Sequence, residues 1–296
     1  KIKKMETKKQ LNNKAVAILQ RLANGDTVNG ISTPTFKVPN NIKLLGTSFK
    51  IKKANRLGVL SSVLYLAPSD SSGIMRKGNK LSVCCYATKY CRAACLGLNA
   101  GKMVYKTSFN SRLWKTALFF TDSSLFMQIL ESEIRVKAIQ AKAQGKICAI
   151  RLNGTSDIPF VTTYNLADRF ENVQFYEYTK NPTTIERYKG THKNYHLTYS
   201  ANSAAISPKI SKLALDKGLS VAAIVNEPPV CEQSKIDLSC MVLGYFRHGT
   251  YIENGDDSDA RFLDRGSKDG SGTIVYLKIK GGQKVAKTMG RDMFNV

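Results

Sequence analysis

A chain of 296 residues that is 43% hydrophobic can bury a full core, and its 45 Lys and Arg against 22 Asp and Glu give a formal charge of +23. These figures exclude a disordered chain, a collagen-like repeat and a disulfide-stapled mini-domain. No run approaches the roughly 18 consecutive apolar residues of a membrane helix. Lys1–Gln10 is polar and basic with no apolar stretch behind it, so the expectation is a soluble, unprocessed, cytoplasmic protein without a membrane partner.

Residues 1–55 read as a basic N-terminal extension: a Lys-rich start, a helix over Glu6–Asn24 with Leu11, Ala15, Ile18, Leu19 and Leu22 on one face, then a polar loop. Residues 56–296 read as one catalytic domain. Its predicted strands are Leu60–Leu66, Leu81–Tyr86, Ile147–Asn153, Val173–Thr179, Tyr195–Ala201, Val221–Asn226, Met241–Phe246 and Thr273–Ile279. Helical patterns fall at Phe109–Phe120, Ser124–Gln144, Thr162–Phe170, Thr183–Tyr188 and Ser207–Leu215, the last with Ser207 as N-cap and Pro208 as first helical residue. Alternating strands and helices predict an α/β fold with mostly parallel strands. Eight strands fit an eight-stranded (β/α) barrel-like closure better than an open doubly wound sheet.

The positive charge is spread along the chain. Such a surface attracts polyanions, and counterion release makes nucleic acid the favoured partner, DNA ahead of RNA. The alternative is a Lys-rich surface that reflects only genome composition. The seven cysteines, Cys84, Cys85, Cys91, Cys95, Cys148, Cys231 and Cys240, include four within twelve residues. That clustering, without a leader, points to metal or cluster ligation before disulfides.

Four segments carry candidate chemistry. Ile150–Pro159 starts as a buried strand and ends in small and polar residues around Asp157. That carboxylate is either a nucleophile or general base, with Asn153 orienting substrate and Arg151 reaching phosphate, or a helix cap. In Val173–Lys180, alternation puts Phe175, Glu177 and Thr179 on one side and Tyr176, Tyr178 and Lys180 on the other. Glu177 and Lys180 are then site candidates, with Tyr178 and Tyr86, each at a predicted strand end, able to stack on a base, unless the strand is partly exposed and Glu177 sits in water.

Counted from Cys84, the cysteine segment reads C-x6-C-x3-C. Cys84, Cys91 and Cys95 could hold zinc or three corners of a four-iron cluster, and Cys231, Cys240 and His248 could complete a site; free structural cysteines are the alternative. The acidic run Glu253–Asp264, with Asp256, Asp257 and Asp259, either takes a divalent cation or holds Arg261 and orders the loop; Arg261 is also a candidate for nucleic-acid contact, with Arg151 and Tyr178. No nucleotide-binding, zinc-protease or serine-hydrolase motif is present, and His192, His196 and His248 are too few and scattered for a serine-type triad.

Leu64–Pro68, Cys84–Gly97, Arg151–Ile158, Phe175–Lys180, Asn194–Thr198 and Gly255–Asp264 occur in an order that resembles the uncharacterised phage gene-88-type proteins, over roughly residues 57–281. The resemblance implies that Cys84 is the family position where members show Cys-Pro and that Cys85 is an addition. It supports Cys84, Cys91, Cys95 and Asp157 as site residues and implies a host-cell cytoplasmic setting. The chain is more distantly similar to tRNA-guanine transglycosylases and the phage enzymes that exchange guanine in DNA, although it lacks their compact cysteine motif. That similarity implies a barrel with an aspartate nucleophile and a structural zinc.

Three functions follow as expectations. The first is a DNA base glycosylase or transglycosylase in which Asp157 attacks C1′, Glu177 or Asp259 handles the proton and Asn153 orients the base. The second is an iron–sulfur radical or redox enzyme built on Cys84, Cys91 and Cys95. The third is a non-enzymatic nucleic-acid-binding protein of phage replication or packaging.

Overall fold

The computed structural model describes residues 6–47, 51, 53–201, 208–225, 227–244 and 247–279. In chain order its strands are β1 Ile31–Ser32, β2 Leu45–Gly46, β3 Val59–Leu64, β4 Met75–Arg76, β5 Asn79–Lys80, β6 Ile147–Arg151, β7 Val173–Thr179, β8 Tyr195–Ser200, β9 Ser220–Val225, β10 Tyr251–Asn254 and β11 Thr273–Lys278. Eight form one sheet in the order β10-β11-β9-β8-β7-β6-β3-β2. Every neighbouring pair is parallel except β2 on β3. The central strands are buried along most of their length because both faces of the sheet are covered, as a parallel sheet requires.

Among the described residues β2 and β10 do not pair with each other, so the ladder shows no barrel closure. The stretch after β10 crosses the gap instead. Lys53 Nζ donates to Asp256 O at 3.2 Å, and Ala54, Val59, Ala149, Tyr176 and Ala260 form a small second core with Phe262 and Leu263. The inner face of the sheet is therefore filled by a loop.

The outer face packs against the helices Lys106–Thr121 and Ser123–Ala143 in the main core, which also takes in Leu11, Ala15, Leu19 and Leu22 of the helix Lys8–Ala23. Thr7 caps that first helix in a reciprocal box with Gln10. The described residues of the 1–55 segment thus share the core of the rest. Within it, β2 is pinned by Glu133, whose carboxylate oxygens accept from the N–H groups of Leu44 at 2.9 Å and Leu45 at 2.8 Å.

Six predicted strands match β3, β6, β7, β8, β9 and β11, and two do not. Leu81–Tyr86 joins no ladder: Leu81 N donates to Ile74 O, and Val83 bonds Ser69 and Asp157. Of Met241–Phe246, residues 241–243 finish the helix Glu232–Leu243, which Gly244 ends at φ 81°, and 245–246 lie outside the described residues. Leu238 and Val242, four apart and both buried, set the helical period that a short apolar run hides. The predicted helix Thr162–Phe170 is two short helices, Phe160–Thr163 and Leu166–Arg169, split at Asn165 with φ 49°. Ser207 lies outside the described residues; the helix Pro208–Asp216 begins at the expected proline. No described helix is long and apolar enough to cross a membrane.

Candidate functional site

Parallel strands deliver the residues at their carboxyl ends to one edge of the sheet. Here that edge receives the chain leaving β3, which carries the cysteine segment, the 153–158 turn after β6, Lys180 after β7 and Ser200 at the end of β8.

The 153–158 turn is built on Asn153. Its Oδ1 accepts from Ser156 Oγ at 2.8 Å and Ile158 N at 3.0 Å, while Nδ2 donates to Ile158 O at 2.7 Å and Glu177 Oε1 at 3.0 Å. All of the amide's hydrogen-bonding capacity is thus used within the chain. Gly154 is required because a Cβ there would come within 2.5 Å of the Tyr65 ring. Glu177 is 2% exposed and also accepts from Tyr195 Oη at 2.9 Å. Burial, reinforced by Asp157, pushes its carboxyl up to about 8, so at neutral pH it is a mostly protonated group that holds Asn153.

Asp157 is tied at both ends of its residue: its N–H donates to Val83 O at 2.8 Å, and its Oδ2 accepts from Lys180 N at 2.9 Å. Burial raises its carboxyl above the ordinary range, against the lowering effect of the Lys180 N–H, the Thr179 hydroxyl and the Lys180 ammonium. The Lys180 side chain donates to Ser200 O at 3.0 Å and Ser200 Oγ at 2.9 Å. Its pKa is lowered by burial, opposed by the charges of Cys91, Asp157, Cys84 and Cys95. The structure therefore brings Lys180, Asp157 and the three predicted thiols into one neighbourhood.

The cysteine segment packs on the 153–158 turn. A Cβ on Gly97 would meet Pro68 and Thr155 at 3.0 Å, and Cys84 Sγ donates to Thr155 O at 3.6 Å while accepting from Ser69 N at 3.4 Å. Burial pushes the Cys84 thiol up to about 12, with Cys95, Asp157 and Cys91 adding to the rise. The Cys95 thiol is also raised by burial and by Cys91, although the Gly97 and Leu98 amides and Arg112 favour its thiolate. Among the described residues no three or more His, Cys, Asp or Glu side chains stand as a ligand set for a metal ion. Cys231 is exposed at the N-cap of the helix Glu232–Leu243.

The remaining candidates gather on the inner face. Arg151 Nη1 pairs with Asp259 Oδ2 at 2.8 Å, and its guanidinium lies 4.4 Å from the Tyr178 ring centroid. Arg261, 2% exposed, donates to Ser258 O at 2.7 Å and pairs with Asp264 at 3.3 Å. The acidic run is thus ordered by arginines, and Arg151 and Arg261 face inward, each against a carboxylate. His196 is a buried strand residue 3.3 Å from Ser220 Oγ, its pKa lowered to about 3 chiefly by burial and further by Arg261.

Three neighbours escape the sequence: Ser200 on Lys180, Tyr195 on Glu177 and Arg112 beside Cys95. The first two depend on strand order, which no local motif records. The family model described as gene product 88 matches residues 35–290. No curated protein and no solved structure matches the chain.

Proposed function

We propose, for a chain that belongs to the gene product 88 family, an enzyme whose reactive centre is an iron–sulfur cluster held by Cys84, Cys91 and Cys95 at the carboxyl edge of the parallel sheet. The observation that carries this reading is the convergence of three thiols from one twelve-residue segment on the half-buried Lys180 ammonium, on which the charge of each acts. A thiol pushed as high as that of Cys84 stays protonated and is a poor nucleophile, and as a metal ligand it would be a thiolate. The negative charge so created lies beside Lys180, which burial alone would disfavour as a cation.

A cluster suits the spacing better than one zinc ion. With their C-x6-C-x3-C spacing, Cys84, Cys91 and Cys95 would hold it as thiolates, and it would supply one-electron chemistry at this edge of the sheet. Held by these three side chains alone, a four-iron cluster would be open to substrate. The chemistry is accordingly of the redox or radical class. Asp157, through the Lys180 N–H, fixes the end of β7 and so the position of the ammonium.

The test is anaerobic purification or reconstitution with iron and sulfide. A brown protein with absorbance near roughly 400 nm supports the reading, and a colourless, iron-free protein after reconstitution rejects it.

A base glycosylase with Asp157 as nucleophile is the second reading, favoured by that residue's position after β6 and by the charge of +23. It ranks second because Asp157 Oδ2 already accepts from the Lys180 N–H and burial raises the carboxyl, both of which oppose attack on C1′.

A further inference from the structure

We propose that the surface carried by residues 86–106 binds single-stranded nucleic acid and presents it to the cysteine centre. The inference rests on the preceding reading for the identity of that centre and adds the class of its substrate.

The sequence between Ser71 and Thr121 contains nine Lys and Arg and no Asp or Glu, although the whole chain has 22 acidic residues. All three thiols lie in this carboxylate-free stretch. It is also where large apolar side chains stand in water: Tyr86 is 47% exposed, Leu96 54%, Val104 52% and Tyr105 57%. Lys102 and Lys106 flank the Val104–Tyr105 pair and are exposed. Next to them is a groove of about 450 Å³ whose lining includes Leu98, Val104, Lys106, Phe109 and Arg112. Arg112 joins this groove to the thiol segment, since its Nη2 donates to Gly97 O at 2.8 Å and its charge acts on Cys95. Its Nε is buried without a hydrogen-bond partner.

Exposed tyrosines among lysines, on a stretch of sequence without acidic residues where Asp70 reaches Arg92 at 3.9 Å, are what a single strand needs: rings that accept any base and cations that follow the backbone. A duplex offers phosphates but keeps its bases stacked, which leaves Tyr86 and Tyr105 unused. An anionic membrane would use the same apolar and basic groups on a flat surface and has no need of a concave groove beside a buried guanidinium. Charge and shape together favour the single strand.

The experiment is fluorescence anisotropy of a labelled oligothymidylate with the full chain over a range of salt, with iron measured on the same samples. The comparisons are Tyr86→Ala/Tyr105→Ala, Lys102→Ala/Lys106→Ala, duplex DNA of equal length, and phosphatidylglycerol vesicles. The tyrosine variant is expected to bind about tenfold or more weakly, because stacking on an aromatic ring contributes about 1–3 kcal/mol per base. The lysine variant is expected to lower the log–log salt slope by about 0.7 per lysine.

Unchanged affinity in the tyrosine variant overturns the proposal, and so does equal binding of duplex or vesicles. The two readings fail separately. Brown protein that does not bind the oligonucleotide removes this inference alone, whereas colourless protein whose binding depends on Tyr86 and Tyr105 removes the cluster and retains the nucleic-acid surface.

Discussion

Asp157 Oδ2 accepts the backbone N–H of Lys180 at 2.9 Å, joining the turn after β6 to the end of β7. An acceptor oxygen is what this bond requires, and a negative charge is not. Asp157→Asn retains the acceptor and is expected to unfold in urea within about 1 kcal/mol of the parent, whereas Asp157→Ala strands the N–H and costs about 1–3 kcal/mol. If Asp157 is instead a nucleophile, Asn abolishes turnover at unchanged stability. Denaturation and activity measured together on both variants separate positioning from attack.

Glu177 gives stability a pH dependence. Its folded pKa, about 8, lies above its ordinary value of 4.5, chiefly through burial. The folded state therefore holds this proton over an interval in which the unfolded chain has released it. Its contribution to stability is present below about 4.5 and is lost as pH rises through about 8. Glu177→Gln keeps partners for Asn153 and Tyr195 without the titration, so its stability is expected to be flatter across this window and to exceed that of the parent at the alkaline end. Chemical denaturation at several pH values checks this; parallel profiles for the two proteins would remove Glu177 as the source.

The Arg151–Asp259 pair bridges residues 108 apart in sequence, with side chains 18% and 4% exposed. Removing one partner leaves the other charge desolvated, so Asp259→Ala is expected to cost about 3–5 kcal/mol. The double variant Arg151→Met/Asp259→Leu is expected to cost less than the sum of its two singles. A thermodynamic cycle from urea denaturation measures the coupling, and additive losses would show that the pair contributes no mutual stabilisation.

Long β-branched and aromatic runs were readable from sequence, and Val173–Thr179 matches β7 residue for residue because its period and both boundaries are sharp. The short edge strands β2 and β10 were not readable. β2 has two residues and is held by Glu133 from a distant helix, while β10 is half-exposed along its length. Without them the barrel-like expectation rested on a count of eight that included a loop and the end of a helix. In the site, the clustering of Cys84, Cys91 and Cys95 and the strand-end position of Lys180 were legible because each is local. That Lys180 faces those thiols, and that Arg151 and Arg261 turn inward to Asp259 and Asp264, follows from strand order and the crossing loop, which no single segment encodes.

Iron content across seven single Cys→Ser variants, each reconstituted anaerobically, tests the central claim most directly. About four irons per chain are expected in the parent, with loss of iron and colour in Cys84→Ser, Cys91→Ser and Cys95→Ser and retention of both in Cys85→Ser, Cys148→Ser, Cys231→Ser and Cys240→Ser. Iron that survives substitution of Cys84, Cys91 or Cys95, or that is lost with Cys85 or Cys231 instead, would contradict it.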